Sequence, residues 1–445
     1  MSSTFNIELT WLPKEDTKTP EIDATLCELS FTLEGEPILT WVDANNQFSD
    51  KRICTSAYPI AEWLAFNWWQ LLYEPASPTS KYHGPARPYS RYHDLSSVGY
   101  GFVFPPVRII PSGLYAEISI ETHKPNFTDV QFTAQARSIV SIEHLEEVLR
   151  EFLRIVDEKL VQHDVTSSPF QERYEALVNA WNNKDEMAFC IASGVCGLDP
   201  HDVDQTVANR IIELFNGLPD HIALSLLSSS DLSDIQGFTD VFNRQIEDLM
   251  QHAHKSRLSS IRKGNASFRR EKPWNVGHST AEEARQHLGL NGHSFESIND
   301  LLDVVDLSQS SLVSFDSSLV TNSGVQSFLY SSPDRSLGVS IDKTRHPDSQ
   351  KFDLARAIGD YILSSEDSRI TVQSHTDAQK ANRAFAAEFL APVSLINKKL
   401  GAYAGKVIPD DLIEEVASDL YVSSFVVKRQ IFNYELGSLE SNWFF

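Results

Sequence analysis

Residues 350–363, QKFDLARAIGDYIL, and residues 379–392, QKANRAFAAEFLAP, decide the fold of the last third of this chain. Apolar residues of the first stretch recur at spacings of three and four residues, the periodicity of one helix face. They are Phe352, Ala355, Ile358 and Ile362. The second stretch ends at a proline, which does not continue a helix. We therefore predict helices over 351–363 and 379–390 that pack face to face. The side chains expected to be buried are Phe352, Ile358, Phe385 and Phe389.

These two stretches resemble the signature helices of the ImmA/IrrE family of metallo-endopeptidases. In that family a phenylalanine and a leucine–alanine pair lead into HExxH, and the second helix is built around FAAELL followed by proline. The matching positions are Phe352, Leu354, Ala355, Gly359, Tyr361, Leu363 and residues 385–392, FAAEFLAP. The segment KPWNVGHSTAEEARQHLGL is similar to the helix that often opens the domain, and we expect Ser279 or Thr280 to cap it. The resemblance implies a zincin-like domain.

The family's catalytic residues are not retained. HExxH places two histidines on one helix face as zinc ligands, with the glutamate as general base to the metal-bound water. Carried over residue by residue, the first ligand falls on Arg356, the base on Ala357 and the second ligand on Asp360. The family's third ligand, a glutamate, falls on Gln379. Arginine stays protonated and cannot ligate a cation. We therefore predict no catalytic residue, no bound metal and no cofactor at these degenerate active-site positions.

Arg356 and Asp360 are opposite charges one helical turn apart, and two interpretations are open. They form a surface ion pair of small energy. Alternatively, the guanidinium substitutes for the metal charge and holds Asp360 and Gln379 by hydrogen bonds. A different metal site from nearby side chains is the less favoured hypothesis, because none of them has HxxxH spacing. These side chains are His346, His375, Asp377 and Glu388, and for Glu388 a structural role is favoured.

The chain has 445 residues, more than one core usually organises, so we expect two or three domains. The fold class expected is α+β. A β-rich N-terminal module spans 1–135, a helical middle region spans 136–272, and the metallopeptidase-like domain spans 273–400. A helical C-terminal segment with a helix-turn-helix-like end spans 401–445.

One helix of the N-terminal module, within PIAEWLAFNWWQLLYEP (59–75), has aromatic residues on almost every side. Burial of these rings is the favoured interpretation, because aromatic residues dominate cores. A partner surface on half of the helix is the alternative. The rings are those of Trp63, Phe66, Trp68, Trp69 and Tyr73.

Charge and composition limit the partners. The net charge of −23 predicts an acidic surface that repels nucleic acid and membranes, and no apolar run reaches the roughly 20 residues of a membrane span. Residues 255–272 are locally basic, but a solvated helix end and linker is favoured there. The basic residues are Lys255, Arg257, Arg262, Lys263, Arg269, Arg270 and Lys272. The helical end at 410–436 has Lys428 and Arg429 in its second helix. These are few basic residues for sequence-specific DNA binding, so a role in packing or dimerisation is favoured.

A non-catalytic regulatory or scaffold protein is the function that these observations favour. Active relatives, by the resemblance, cut repressors or partner proteins in stress and mobile-element responses, including phage defence. We expect a cytoplasmic protein with a protein partner, four reduced cysteines and no membrane association. Nucleic acid is a less favoured partner. The alternatives are an active zinc metallopeptidase with an unconventional site and a DNA-binding transcriptional regulator.

Overall fold

A computed structural model describes residues 4–13, 19–43, 48–75, 89–126, 128–262, 271–315 and 323–440. The fold is mixed α+β, as predicted, and the chain divides into two compact units, Met1–Glu213 and Leu214–Phe445. This division is coarser than the four predicted segments, and its boundary lies inside the predicted helical middle region. In the described part of the chain, every helix is too short or too polar to cross a membrane.

The first unit contains antiparallel sheets formed by short strands. One sheet has the order β1-β2-β3 with β6 also beside β2, a second has the order β10-β8-β7, and a third has the order β5-β4-β9. The strands are β1 Phe5–Trp11, β2 Leu26–Leu33, β3 Glu36–Pro37, β4 Trp41–Asp43, β5 Ser49–Asp50, β6 Ile53–Ser56, β7 Arg108–Ser112, β8 Tyr115–Ile120, β9 Val130–Phe132 and β10 Ala136–Ser141. In β8 every second residue, Ala116, Ile118 and Ile120, is buried, which is the period of a strand with one face on the core. The predicted β-rich beginning of the chain is confirmed.

Helices complete the core of the first unit. They are α1 Pro20–Ala24, α2 Tyr58–Tyr73, α3 Ser90–His93, α4 Ile142–Gln162, α5 Pro169–Asn182, α6 Lys184–Val195 and α7 Gln205–Gly217, which crosses the boundary between the units. The oxygen of Ser141 caps α4 by accepting the His144 amide, and the apolar stripe of α4 is buried. In α2 the predicted burial holds for Trp68 and Trp69. It does not hold for Phe66, which is 39% exposed.

The second unit is built on a five-stranded sheet with the order β11-β14-β13-β15, in which β12 also pairs in parallel with β14. All six residues of β14 are buried, because α9 and α12 both pack on this sheet. A separate pair, β16 and β17, is parallel. The strands are β11 His254–Lys255, β12 Leu312–Ser314, β13 Val325–Ser331, β14 Ser336–Ile341, β15 Ser368–Val372, β16 Val407–Ile408 and β17 Ser438–Leu439.

The two helices predicted from the opening sequence are present and pack on each other. They are α12 and α13, and Ile358, Phe385 and Phe389 are fully buried, while Phe352 is half-buried. The helices of this unit are α8 Asp220–Leu227, α9 Phe238–His252, α10 Pro273–Leu288, α11 Ile298–Val305, α12 Pro347–Leu363, α13 Asp377–Leu390, α14 Val393–Leu400, α15 Asp410–Asp419 and α16 Ser424–Asn433. Short 3-10 turns elsewhere in the chain are Leu95–Ser97, Arg257–Ser260, Gln309–Ser311 and Gly401–Tyr403.

The predicted start of α10 at Ser279 or Thr280 is wrong. The helix begins six residues earlier than Ser279, at Pro273, whose fixed φ suits the first helical position. Ser279 lies inside the helix and donates its hydroxyl back to the carbonyl of Val276 at 3.2 Å. The longer helix brings Gly277 against α13, where an added Cβ would lie 2.1 Å from the Ala381 carbonyl oxygen.

Basic residues of the predicted nucleic-acid candidates have internal partners. Arg262 donates to the Ser364 carbonyl at 2.9 Å and to the Ser331 hydroxyl at 2.8 Å. Lys428 of α16 pairs with Asp410 of α15 at 2.8 Å. Three basic residues of the 255–272 stretch, Lys263, Arg269 and Arg270, lie outside the described residues.

Candidate functional site

Arg356, which the sequence resemblance aligned with a first zinc ligand, lies in the middle of α12 with 2% of its surface exposed. Its Nε donates to Asn382 Oδ1 at 2.9 Å, and its Nη1 donates to Gln326 Oε1. Its Nη2 donates to the Val372 carbonyl at 2.8 Å and to Gln379 Oε1 at 2.6 Å. The acceptors come from α13, β13 and β15, so one side chain ties a helix to two strands and a second helix.

Gln379, which the resemblance aligned with a third ligand, has hydrogen bonds at both atoms of its side-chain amide. It lies in the first turn of α13, which begins because Thr376 caps the helix. Besides Arg356, its Oε1 accepts the Val372 amide at 3.0 Å, and its Nε2 donates to the Ile370 carbonyl at 3.1 Å. Asn382, one turn later, donates to the same oxygen at 3.3 Å. The side chain therefore satisfies the backbone of β15 and leaves no oxygen directed at a metal.

Asp360 is buried but is not held by Arg356. Its Oδ2 accepts Arg369 Nε at 2.9 Å, and Arg369 also donates to Ser364. The hypothesis that Arg356 holds both Gln379 and Asp360 is thus correct for Gln379 and wrong for Asp360, because a second arginine on β15 takes the carboxylate. The surface ion pair is also wrong, since both side chains are 2% exposed. Ala357 is fully buried and offers no functional group.

Burial shifts the pKa values of the ionisable groups in this network. It lowers the pKa of the Arg356 guanidinium to about 10, against the opposing effect of the Asp353 and Asp360 carboxylates, so the group is charged at neutral pH. Burial also raises the pKa of Asp353 to about 6, with Arg345 and Arg356 acting in the other direction. Arg345 donates to Asp353. A positive charge is thus enclosed and balanced by carboxylates that lie near it.

The surroundings of this network are positive on the side of α13. Burial, together with Arg356 and Arg429, lowers the pKa of Arg383 to about 9. Burial, together with Arg383, Lys380 and Arg429, lowers the pKa of His375 to about 4. His375 is therefore neutral at pH 7, but cations face it. Such a field opposes the binding of a further cation.

A histidine and two glutamates that could ligate a metal meet elsewhere in this unit. His278 Nε2 of α10 lies 3.2 Å from Glu388 Oε2 of α13, and His278 Nδ1 lies 3.9 Å from Glu282. The candidate ligand atoms all lie within 4.8 Å of one another. Of the four residues named for an alternative metal site, Glu388 takes part in this cluster. The spacing of His278 and Glu282, one helical turn apart, was the signal that sequence reasoning missed.

The contacts of this cluster are those of an ion pair, although the 3.2 Å contact of His278 Nε2 with Glu388 does not have the geometry of a hydrogen bond. The Glu388 carboxylate raises the pKa of His278, against the effect of burial. The two imidazole nitrogens face different carboxylates, whereas one ion would be bound through one nitrogen. Glu388 Oε2 also accepts the Val393 amide and Gln430 Nε2, both at 3.0 Å. Glu388 therefore joins α13 to α10, α14 and α16, in line with the structural role favoured from the sequence.

No protein-family model, curated protein or solved structure matches this chain.

Proposed function

We propose that this chain is a non-catalytic regulatory or scaffold protein, built on an ImmA/IrrE-type peptidase frame that has lost its metal site. The observation that supports this most is the enclosure of Arg356. The side chain at the first-ligand position is buried and makes four hydrogen bonds. A guanidinium in this state is a structural group, because it can neither ligate a cation nor accept a proton.

The residues present do not fit a catalytic zinc. Ala357 cannot act as a base, and the Gln379 amide is consumed by Arg356 and β15. A dication here would lie beside the charges of Arg356 and Arg383, at a large electrostatic cost. We therefore derive no hydrolytic step. A protein of this kind acts by binding, and the partners that the resemblance suggests are repressors or other proteins of stress and phage-defence responses.

The second candidate function is a metalloprotein with an unconventional site, and the cluster of His278, Glu282 and Glu388 is what favours it. Elemental analysis of the purified chain separates the two. We expect no stoichiometric zinc and no cleavage of unfolded casein. Stoichiometric zinc that is lost in His278→Gln would overturn the non-catalytic proposal.

The proposed relation to the peptidase fold is tested by restoring the family's zinc ligands. The variant Arg356→His/Ala357→Glu/Asp360→His/Gln379→Glu should gain zinc, since the family's ligand set is then complete. The matched control Arg356→His/Ala357→Glu should gain none, because Asp360 and Gln379 still leave the set incomplete. If the fourfold variant is folded by circular dichroism and binds no zinc, the peptidase frame is rejected.

A further inference from the structure

A cleft of about 770 Å³ lies within the first unit, beside α2. Its walls come from α2, from residues 91–100 and from the turn that precedes α7. Four aromatic rings line it, those of Trp63, Phe66, Tyr92 and Tyr100. Four carboxylates line it as well, against the single arginine Arg91; they belong to Glu62, Asp199, Asp202 and Asp204. Aromatic faces and carboxylates together are the surroundings that stabilise an organic cation.

The carboxylate of Glu62 is fixed in place. The Tyr58 hydroxyl donates to Glu62 Oε1 at 2.9 Å. Burial and Glu62 raise the pKa of Tyr100 to about 12, so that phenol stays protonated and donates as well. Within the part of the chain that the structure describes, no basic side chain pairs with Glu62 or Asp202. Among the described residues, the Glu62 carboxylate is therefore positioned by neutral donors and has no cationic partner.

Two residues of the cleft wall, Phe66 and Asp199, already bind a guanidinium, that of Arg173, which does not itself line the cleft. Arg173 lies over the Phe66 ring, with its guanidinium carbon 4.5 Å from the ring centre. Its two terminal nitrogens donate to the two oxygens of Asp199, at 3.0 and 2.6 Å. Stacking on a ring together with two parallel hydrogen bonds is the mode that suits a planar guanidinium better than an ammonium.

A buried acceptor in the same cleft lacks a donor. Gln70 lines the cleft, is 3% exposed, and its Oε1 has no hydrogen-bond partner among the described residues. A buried carbonyl oxygen without a donor is costly, and such groups in folded proteins call for an explanation. The Gln70 oxygen is itself sealed from solvent, so a ligand with N–H donors supplies the missing bond only if this side chain turns towards the cleft.

We propose that this cleft binds a guanidinium group, carried either by an arginine side chain of a partner protein or by a small free guanidine. The cation lies between the rings of Trp63 and Tyr100 and donates to Glu62 and Asp202. Trp63 is held for this role, because its indole donates to the Arg91 carbonyl at 3.2 Å. The site is separate from the Arg356 network and does not depend on the function proposed for it.

Calorimetric titration of the full chain tests this site with defined probes. Agmatine, L-arginine and the peptide Gly-Arg-Gly carry the guanidinium, and citrulline and Gly-citrulline-Gly are neutral isosteres. We expect saturable binding of a guanidine, with the citrulline compound at least about tenfold weaker. Tighter binding of the peptide identifies an arginine of a partner protein as the ligand, and tighter binding of agmatine or arginine identifies a small molecule. Equal binding of citrulline, or no binding of any guanidine at millimolar concentration, overturns the proposal.

Variants locate the binding in the cleft. Glu62→Gln and Asp202→Asn should each weaken guanidine binding about tenfold, since each removes a charge that faces the ligand. The control Glu8→Gln removes an exposed acid of β1 that does not line the cleft, and should leave binding unchanged. Asp202 is exposed, so its variant remains informative if Glu62→Gln disturbs the fold. Wild-type affinity in both cleft variants rejects the site.

Discussion

The Arg356 network of the second unit and the cleft of the first unit are both rich in charge, but they differ in how that charge is satisfied. In the network, each donor group of Arg356 has an acceptor and both atoms of the Gln379 amide are bonded. In the cleft, Glu62 and Asp202 have no cationic partner among the described residues, and Gln70 Oε1 has no donor. The first arrangement is closed, and the second is incomplete.

This difference separates a structural site from a binding site. A fully bonded buried network rigidifies the fold, and removing one member leaves the others desolvated and unpaired. In the cleft, Asp199 is paired with Arg173, but the Glu62 and Asp202 carboxylates have no cationic partner among the described residues, so removing either charge breaks no ion pair of the fold. Substitutions in the Arg356 network should therefore lower the stability of the fold. Substitutions in the cleft should lower the affinity for a guanidinium without lowering stability.

The largest expected effect is that of Arg356→Ala. It removes the Arg356 donor from the side-chain oxygens of Asn382 and Gln326 and from the Val372 carbonyl. Each buried oxygen that is left unpaired costs about 1–3 kcal/mol. We expect a loss of more than about 3 kcal/mol in the free energy of unfolding, measured by urea denaturation. The control Arg244→Ala removes an exposed arginine of α9 and should stay within about 0.5 kcal/mol of wild type. An Arg356→Ala variant as stable as this control would show that the network is not structural.

A helix contact behind the network gives the next largest effect. In Gly277→Ala the new methyl group would meet the Ala381 carbonyl at 2.1 Å, and Ala381 lies between Gln379 and Asn382. The two helices must separate, and we expect a loss of about 1–3 kcal/mol, measured as before. Gly99 lines the cleft and has nothing within 4 Å of an added Cβ. Gly99→Ala should therefore be close to neutral, and a loss equal to that of Gly277→Ala would contradict the contrast between the two regions.

The helices around the network were predictable from the sequence, and the bonds between them were not. The periodicity over 351–363 and the proline after 379–390 depend on local spacing, so both helices were found. The partners of Arg356 come from two strands and a second helix, and no local pattern specifies which of them approach. Asp360 shows this most clearly, since its partner Arg369 lies on the adjacent strand nine residues later, while the arginine one turn away was the one predicted.

The cleft was missed for a related reason. The aromatic residues on almost every side of α2 predicted a buried helix. The sequence does not say which side of the helix faces the core. Trp68 and Trp69 face the core, while Trp63 and Phe66 line the cleft. Three of the acidic residues of the cleft belong to the turn before α7. The carboxylates at 199, 202 and 204 follow one another closely in the chain. Their separation from α2 by more than a hundred residues hid the connection.

A pH-dependent effect is expected at His375, beside the network. Its folded pKa of about 4 lies below the ordinary value of 6.5, because burial and then Arg383, Lys380 and Arg429 oppose protonation. The stability that it contributes is present above pH 6.5 and is lost as the pH falls from 6.5 towards 4. Between pH 7 and pH 5, the melting temperature of His375→Gln should therefore fall less than that of the wild-type protein. His123→Gln, at an exposed histidine, is the control, and the same pH response in the His375 variant as in wild type would show that His375 protonates freely in the fold.

The smallest expected effect is at Asp202, and its sign distinguishes the two regions. Asp202 is exposed, and no described residue bonds its carboxylate, while Asp199 and Asp204 lie close by in the chain. The charge of Asp199 is already paired with Arg173, so Asp202→Asn relieves repulsion mainly from Asp204 and removes no partner. We expect stability unchanged or raised by up to about 0.5 kcal/mol. High salt screens this repulsion and should erase the gain. A loss above about 1 kcal/mol, measured by the same denaturation, would mean that Asp202 is already paired in the free protein. The cleft would then be as closed as the Arg356 network. A gain in stability together with a loss of guanidine binding would instead show a group kept for its ligand at the expense of the fold.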